Sequence, residues 1–140
     1  MHIFKSYSEP YGDYLANNYY DKSILDSGQT IRIEFQEDWS NTRYYYNIYL
    51  VISDKKKSMS NTYLKSTGKD GLKGLLWAKK KIIEFEEFIT EKHKNVPVVI
   101  YAHWDNNRRR DVYERGLKDL GYKFDRVFGN KAIVKTIYKK

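Results

Sequence analysis

The stretch from Tyr63 to Ile89, YLKSTGKDGLKGLLWAKKKIIEFEEFI, decides how the chain folds. It starts extended, turns through Gly68 and Gly71, and enters the longest helical pattern in the sequence. From Gly71 onward Leu75, Ile82 and Ile89 repeat every seven residues, flanked by Leu72, Leu76, Ala78, Ile83 and Phe85. That spacing predicts a helix with a wide apolar arc, covered on more than one side. Lys79 and Glu86 interrupt the arc, so each must snorkel or pair. A short polar turn that presents the free N–H groups of a helix N-terminus can hold a phosphate or another anion. The same turn is equally an ordinary strand-to-helix connection.

Upstream, a strand at about Ser60 to Lys65 delivers the chain into this turn, preceded by a charged turn, Asp54-Lys55-Lys56-Lys57-Ser58. Arg43 to Ser53, RYYYNIYLVIS, is the strongest strand pattern, rich in aromatic and β-branched residues. Ile31, Ile33 and Phe35 alternate with Arg32, Glu34 and Gln36, which predicts a strand with one apolar and one wet face, and Glu37 to Thr42 joins the two as an antiparallel hairpin. Asp26-Ser27-Gly28 reads as a turn. Before it, Ser8-Glu9-Pro10 is read as a helix start, with Tyr11, Tyr14, Leu15 and Asn18 on one face of a short helix.

Downstream, Lys92 to Asn95 ends the long helix, and Pro97 to Trp104, PVVIYAHW, is a nearly continuous apolar strand. Strand, helix and buried strand make a β-α-β crossover, which implies parallel pairing. Val112, Tyr113, Gly116, Leu117 and Leu120 mark a second helix that stops at Gly121. Tyr122 to Phe128, a Gly129-Asn130 turn and Lys131 to Tyr138 form a terminal hairpin.

Composition bounds the function. The chain has 140 residues, enough for one domain over residues 1–140 with a real core. A net charge of +8 favours anionic partners, although the excess is lysine spread along a chain also rich in Tyr, Asn and Ile. The absence of cysteine excludes disulfides, thiolate metal sites and cysteine nucleophiles. His2, His93 and His103 lack metal-ligand spacing, no serine sits in a Gly-x-Ser-x-Gly turn, and the 66–70 segment lacks the Gly-Lys-Ser/Thr ending of a nucleotide-binding P-loop. Neither a signal-peptide run nor a membrane-length apolar stretch is present, so a cytoplasmic protein without a membrane partner is expected.

The order read so far is a helical N-terminal segment, β, β, β, long helix, β, helix, β, β. In that order, and in Lys65-Ser66-Thr67-Gly68-Lys69-Asp70-Gly71-Leu72 and Asn106 through Tyr113 to Gly121-Tyr122, the chain resembles the GCN5-related N-acetyltransferase (GNAT) family. The resemblance implies an α/β (α+β) fold with a mixed, mostly antiparallel sheet, a central β-α-β crossover and a C-terminal hairpin. It implies acetyl-CoA as cofactor, with the backbone of Tyr63, Leu64 and Lys65 bonding the pantetheine arm. The N–H groups of Thr67, Gly68, Lys69, Asp70 and Gly71 would hold the pyrophosphate, with Asn106 also on the cofactor side. The chain departs from the family in having two residues between Gly68 and Gly71 and no Gln or Arg opening the loop.

Tyr113 is the resemblance's candidate for protonating the departing thiolate, because the family's usual position is occupied by Leu117. His103 and Asp105 are candidate bases for the incoming amine, with Glu34 and Glu37 as further candidates. Arg108, Arg109 and Arg110 oppose the dipole at a helix start, which fits an anion nearby, cofactor phosphates or a nucleic-acid backbone, and equally fits long arginine stems that swing into solvent. The expected function is acyl-CoA-dependent transfer to an amine, on a small molecule or a protein, by direct attack. The alternative is a non-catalytic basic protein that docks on a nucleic acid or another protein, an effector role met in compact, lysine-rich phage and mobile-element proteins.

Overall fold

The computed structural model describes residues 4–53, 68–104 and 107–140, with the side chains of 68–72, 108 and 109 left aside. Seven strands, β1 (Lys5–Tyr11), β2 (Tyr14–Ile24), β3 (Thr30–Ser40), β4 (Arg43–Ser53), β5 (Val98–His103), β6 (Lys123–Val127) and β7 (Asn130–Ile137), form one mixed sheet in the order β1-β2-β3-β4-β5-β7-β6. The two helices among the described residues are α1 (Gly68–Lys92) and α2 (Asn107–Leu117).

The first four strands are an antiparallel meander joined by tight turns. Asn41 and Thr42, at φ 49° and 62°, make a two-residue connection between β3 and β4. Positive φ at both central positions matches the twist of the flanking strands. Gly12, at φ 60°, turns β1 into β2 where a side chain would resist the left-handed conformation. β4 then crosses through α1 to β5, its parallel neighbour, and β5 is bounded on its other side by the β6–β7 hairpin.

Residue parity assigns the core. Ile33 and Phe35 of β3, Tyr46 and Ile48 of β4, Val98, Ile100 and Ala102 of β5 and Ile133 of β7 share one face, and they pack with Ala78, Ile82, Phe85 and Ile89 of α1 and with Leu117 at the end of α2. Both helices therefore lie on the same face of the sheet. Phe85 is fully buried and stacks on Phe35 with ring centroids 3.8 Å apart. The polar residues inside the helical arc are paired: Lys79 Nζ lies 3.3 Å from Asp119, and Glu86 accepts from Tyr122 Oη at 2.9 Å and from Lys135 Nζ at 2.8 Å. Lys81, buried on α1, reaches Asp21 of β2 at 2.9 Å and ties the helix to the meander.

The expected GNAT-like α/β layout is corrected by this architecture. Strand predominates, and among the described residues helix is confined to α1 and α2. The tyrosine-rich N-terminal segment, read as a helix, is the β1–β2 hairpin. Pro10 removes one donor on the edge strand at no cost to a ladder, and tyrosine favours extended backbone. The predicted connection from Glu37 to Thr42 shrinks to Asn41-Thr42 because β3 continues to Ser40. Gly68 to Gly71, read as a turn, form the first turn of α1. The strand placed at Ser60 to Lys65 lies outside the described residues, among which β4 is the last strand before α1.

Candidate functional site: an opening between two parallel strands

β4 pairs with β3 along its whole length, from Arg43 to Ser53. Its other edge pairs with β5 only where Tyr44, Tyr45, Tyr46 and Asn47 face Val98, Val99, Ile100 and Tyr101. Beyond that point β5 continues through Ala102 and His103, held by Ile133 and Ala132 of β7. The two parallel strands thus part after Asn47 and Tyr101, and among the described residues the β4–β5 ladder goes no further.

What surrounds the opening follows from the crossover. α1 follows β4 and α2 follows β5 in chain order, and Leu75 near the start of α1 and Val112 near the start of α2 pack by Leu50, so both helices begin towards the carboxyl end of β4. Ligands of parallel sheets bind at that end of the strands. On the helix face, Ile48 and Leu50 of β4 close over Leu75 and Ala78 of α1 and Val112, Tyr113 and Gly116 of α2, around an apolar cavity of about 30 Å³. On the other face stand Tyr49, Val51 and His103.

The predicted site residues fall into three groups. Tyr113 lies on the helix face, half-buried, and lines the cavity. His103 lies on the opposite face, edge-on to Tyr101 at 4.9 Å, with Nδ1 3.2 Å from the Lys131 carbonyl oxygen. The opening lies between these two faces. Gly68, Lys69, Asp70 and Gly71 start α1, whereas Tyr63, Leu64, Lys65, Thr67, Asp105 and Asn106 lie outside the described residues. Arg108 and Arg109 are in the first turn of α2. Arg110 is drawn away from the helix end, its guanidinium 4.6 Å from the Phe124 ring centroid and 5.7 Å from that of Trp104. The Trp104 indole Nε1, buried beside the start of α2, has no hydrogen-bond partner.

The two glutamates considered as bases are on different faces, and each is already engaged. Glu34 accepts from Tyr7 Oη at 2.6 Å, Arg32 at 2.6 Å and Gln36 at 2.8 Å. Burial raises its pKa, but the bonds from Tyr7, Arg32 and Gln36 together outweigh burial and hold the carboxyl below its usual range. Glu37, 5% exposed, accepts from Tyr14 Oη at 2.5 Å, Tyr46 Oη at 2.5 Å and the Asn17 backbone N–H at 3.1 Å. The Tyr46 proton goes to Glu37, so at 2.9 Å His93 Nε2 donates to the Tyr46 oxygen. His93 also stacks on Tyr44 at 3.7 Å.

This buried chain of Glu37, Tyr46 and His93 was not foreseen as a unit. Its signal was present in the alternation, because Glu37 continues the apolar parity of Ile31, Ile33 and Phe35, and a buried carboxylate demands donors.

For acetyl-CoA, the group implied by the sequence reading, the described features that bear on a fit are the end of the β4–β5 ladder, the apolar cavity beside it and the Trp104 indole N–H near the start of α2. Among the described residues no three His, Asp or Glu side chains cluster as metal ligands, and no helix is long and apolar enough to cross a membrane. No protein-family model, curated protein or solved structure shows significant similarity to the chain.

Proposed function

We propose that the chain is an acyl-CoA-dependent N-acyltransferase that receives its acyl donor between β4 and β5. The parting of these parallel strands after Asn47 and Tyr101, at the carboxyl end of the sheet's parallel pair, is the observation that supports the reading. Acetyl-CoA, when bound, supplies the activated thioester. In this reading the backbone of β4 beside the fork bonds the amide arm, and the N-termini of α1 and α2 receive the phosphates.

Direct transfer forms a nitrogen–carbon bond as the carbon–sulfur bond breaks, so the amine must lose a proton and the sulfur must gain one. His103, on the open face, takes the amine proton. Tyr113, on the helix face, donates to the sulfur. With no cysteine in the chain, transfer through an acyl-cysteine is excluded. The acceptor is a small molecule or protein carrying a primary amine.

Thermal unfolding with and without acetyl-CoA tests this reading. At one hundred times its dissociation constant the cofactor should stabilise the fold by about 2.7 kcal/mol, a rise of several degrees. Tyr113→Phe should retain that rise while slowing thiol release to an amine by roughly 10²-fold or more. An unchanged melting temperature at millimolar acetyl-CoA would overturn the proposal. Salt-sensitive retardation of DNA or RNA, lost on replacing Arg108 to Arg110 by alanine, would instead assign the cluster to nucleic acid.

A further inference from the structure

We infer that two copies of the chain pair through the solvent face of α1, antiparallel about a two-fold axis at Ile83, with Lys80 of each copy facing Glu87 of the other. Lys73, Leu76, Lys80, Ile83, Glu87 and Glu91 are exposed and recur every three or four residues. They therefore form one stripe on the side of α1 turned away from Phe85 and Ile89. The sheet covers only one side of the apolar arc, and Leu76 is left 56% exposed and Ile83 41%. Residues seven apart lie almost in line along a helix, the spacing by which one helix seats against another.

The charges on the stripe are sorted by sign, Lys73 and Lys80 in its first half and Glu87 and Glu91 in its second. Lys73 bonds Asp26, and Glu91 bonds Lys94 and Lys139. On α1, Glu87 has only Glu84 and Glu91 as charged neighbours three or four residues away, and like charges at that spacing repel. Glu84, the one opposite charge at such a spacing from Lys80, lies 3.2 Å from Lys81. Lys80 and Glu87 are themselves too far apart to meet on one helix. Lys80 stands about 4.5 Å before Ile83 along the axis and Glu87 about 6 Å beyond it. Turning a second α1 end for end at Ile83 brings each lysine nearly level with the other copy's glutamate, and Ile83 against Ile83. Leu76 then reaches the level of Thr90, at a groove lined by Glu87, Phe88, Thr90 and Glu91. A parallel pair would set lysine on lysine and glutamate on glutamate. One helix pair is smaller than the roughly 1,600 Å² of a standard interface, so the association is reversible and concentration-dependent. It does not depend on the proposed transfer activity.

Sedimentation velocity over a concentration series, at low and high salt, tests the pairing. The unmodified chain should pass from monomer to dimer as concentration rises, and less readily in high salt. Lys80→Glu and Glu87→Lys should each leave a monomer where the unmodified chain pairs, and the two together should restore the dimer. Ile83→Asp should abolish it, while a melting temperature in dilute solution close to that of the unmodified chain shows the fold intact. Because the chain has no cysteine, Ile83→Cys places a single thiol at the axis, and oxidation should link that variant to itself. Ile24→Cys, at a position 73% exposed on β2, should link far more slowly. A monomer at every concentration would overturn the inference. So would a dimer that survives Ile83→Asp, or a double charge reversal that fails to restore pairing.

Discussion

At the scale of single residues, the arrangement around His93 makes a titration visible in stability. Burial lowers the pKa of its imidazole from the usual 6.5, while Glu37 pulls it up and Lys92 pushes it further down. A histidine whose folded pKa is depressed is charged first in the unfolded chain. Its effect is absent above about pH 6.5 and grows as pH falls toward the folded value. Urea midpoints should therefore fall between pH 7 and pH 5, and His93→Gln, which keeps a donor for Tyr46, should flatten that slope. Glu34 acts in a different window. Its carboxyl is held low in the folded chain, so its contribution is present above its ordinary pKa of 4.5 and is lost only in stronger acid. An unchanged slope in the His93 variant would show that the ring is as free to take a proton folded as unfolded.

At the scale of elements, α1 holds the molecule together, and its two sides differ sharply. Phe85, fully buried against Phe35, Tyr46 and Phe4, should cost about 3–5 kcal/mol when replaced by alanine. Ile83, on the same helix but 41% exposed, should cost roughly 0.5 kcal/mol or little more, and the pair of unfolding curves measures the contrast.

The wide arc of Leu75, Ile82, Phe85 and Ile89 was legible because helical spacing and burial coincide there. β3, β5 and the terminal hairpin were legible for the same reason. The N-terminal tyrosines misled because Tyr11, Tyr14, Leu15 and Asn18 satisfy a helical spacing by accident. Gly12 breaks that helix and closes a hairpin instead. The opening was legible only in kind. Where a parallel ladder stops is set by how β5 is held by β7, so no pattern within β4 marks Asn47 as its end, and the strand expected to line the opening, Ser60 to Lys65, lies outside the described residues.

At the scale of the whole molecule, the gap couples parts that are distant in the chain. Amides of residues 48–51 that point away from β3 lie past the end of the described β4–β5 ladder, so their exchange with solvent reports on what lies along that edge. Acetyl-CoA should slow that exchange and the exchange of the first turns of α1 and α2 together. Protection confined to one helix end would place the cofactor elsewhere.

The strand order also has a consequence in time. β1 to β4 are joined by turns of a few residues, so the N-terminal meander closes through local contacts alone. β5 must travel much further, since Val98 pairs with Tyr44 across 54 positions (98 − 44) and is then flanked by a hairpin synthesised after it. Long loops close late, so the meander waits as a template with one edge uncovered until the crossover arrives. The seam between β4 and β5, whose described ladder stops at Asn47 and Tyr101, is where the two halves of the chain meet last.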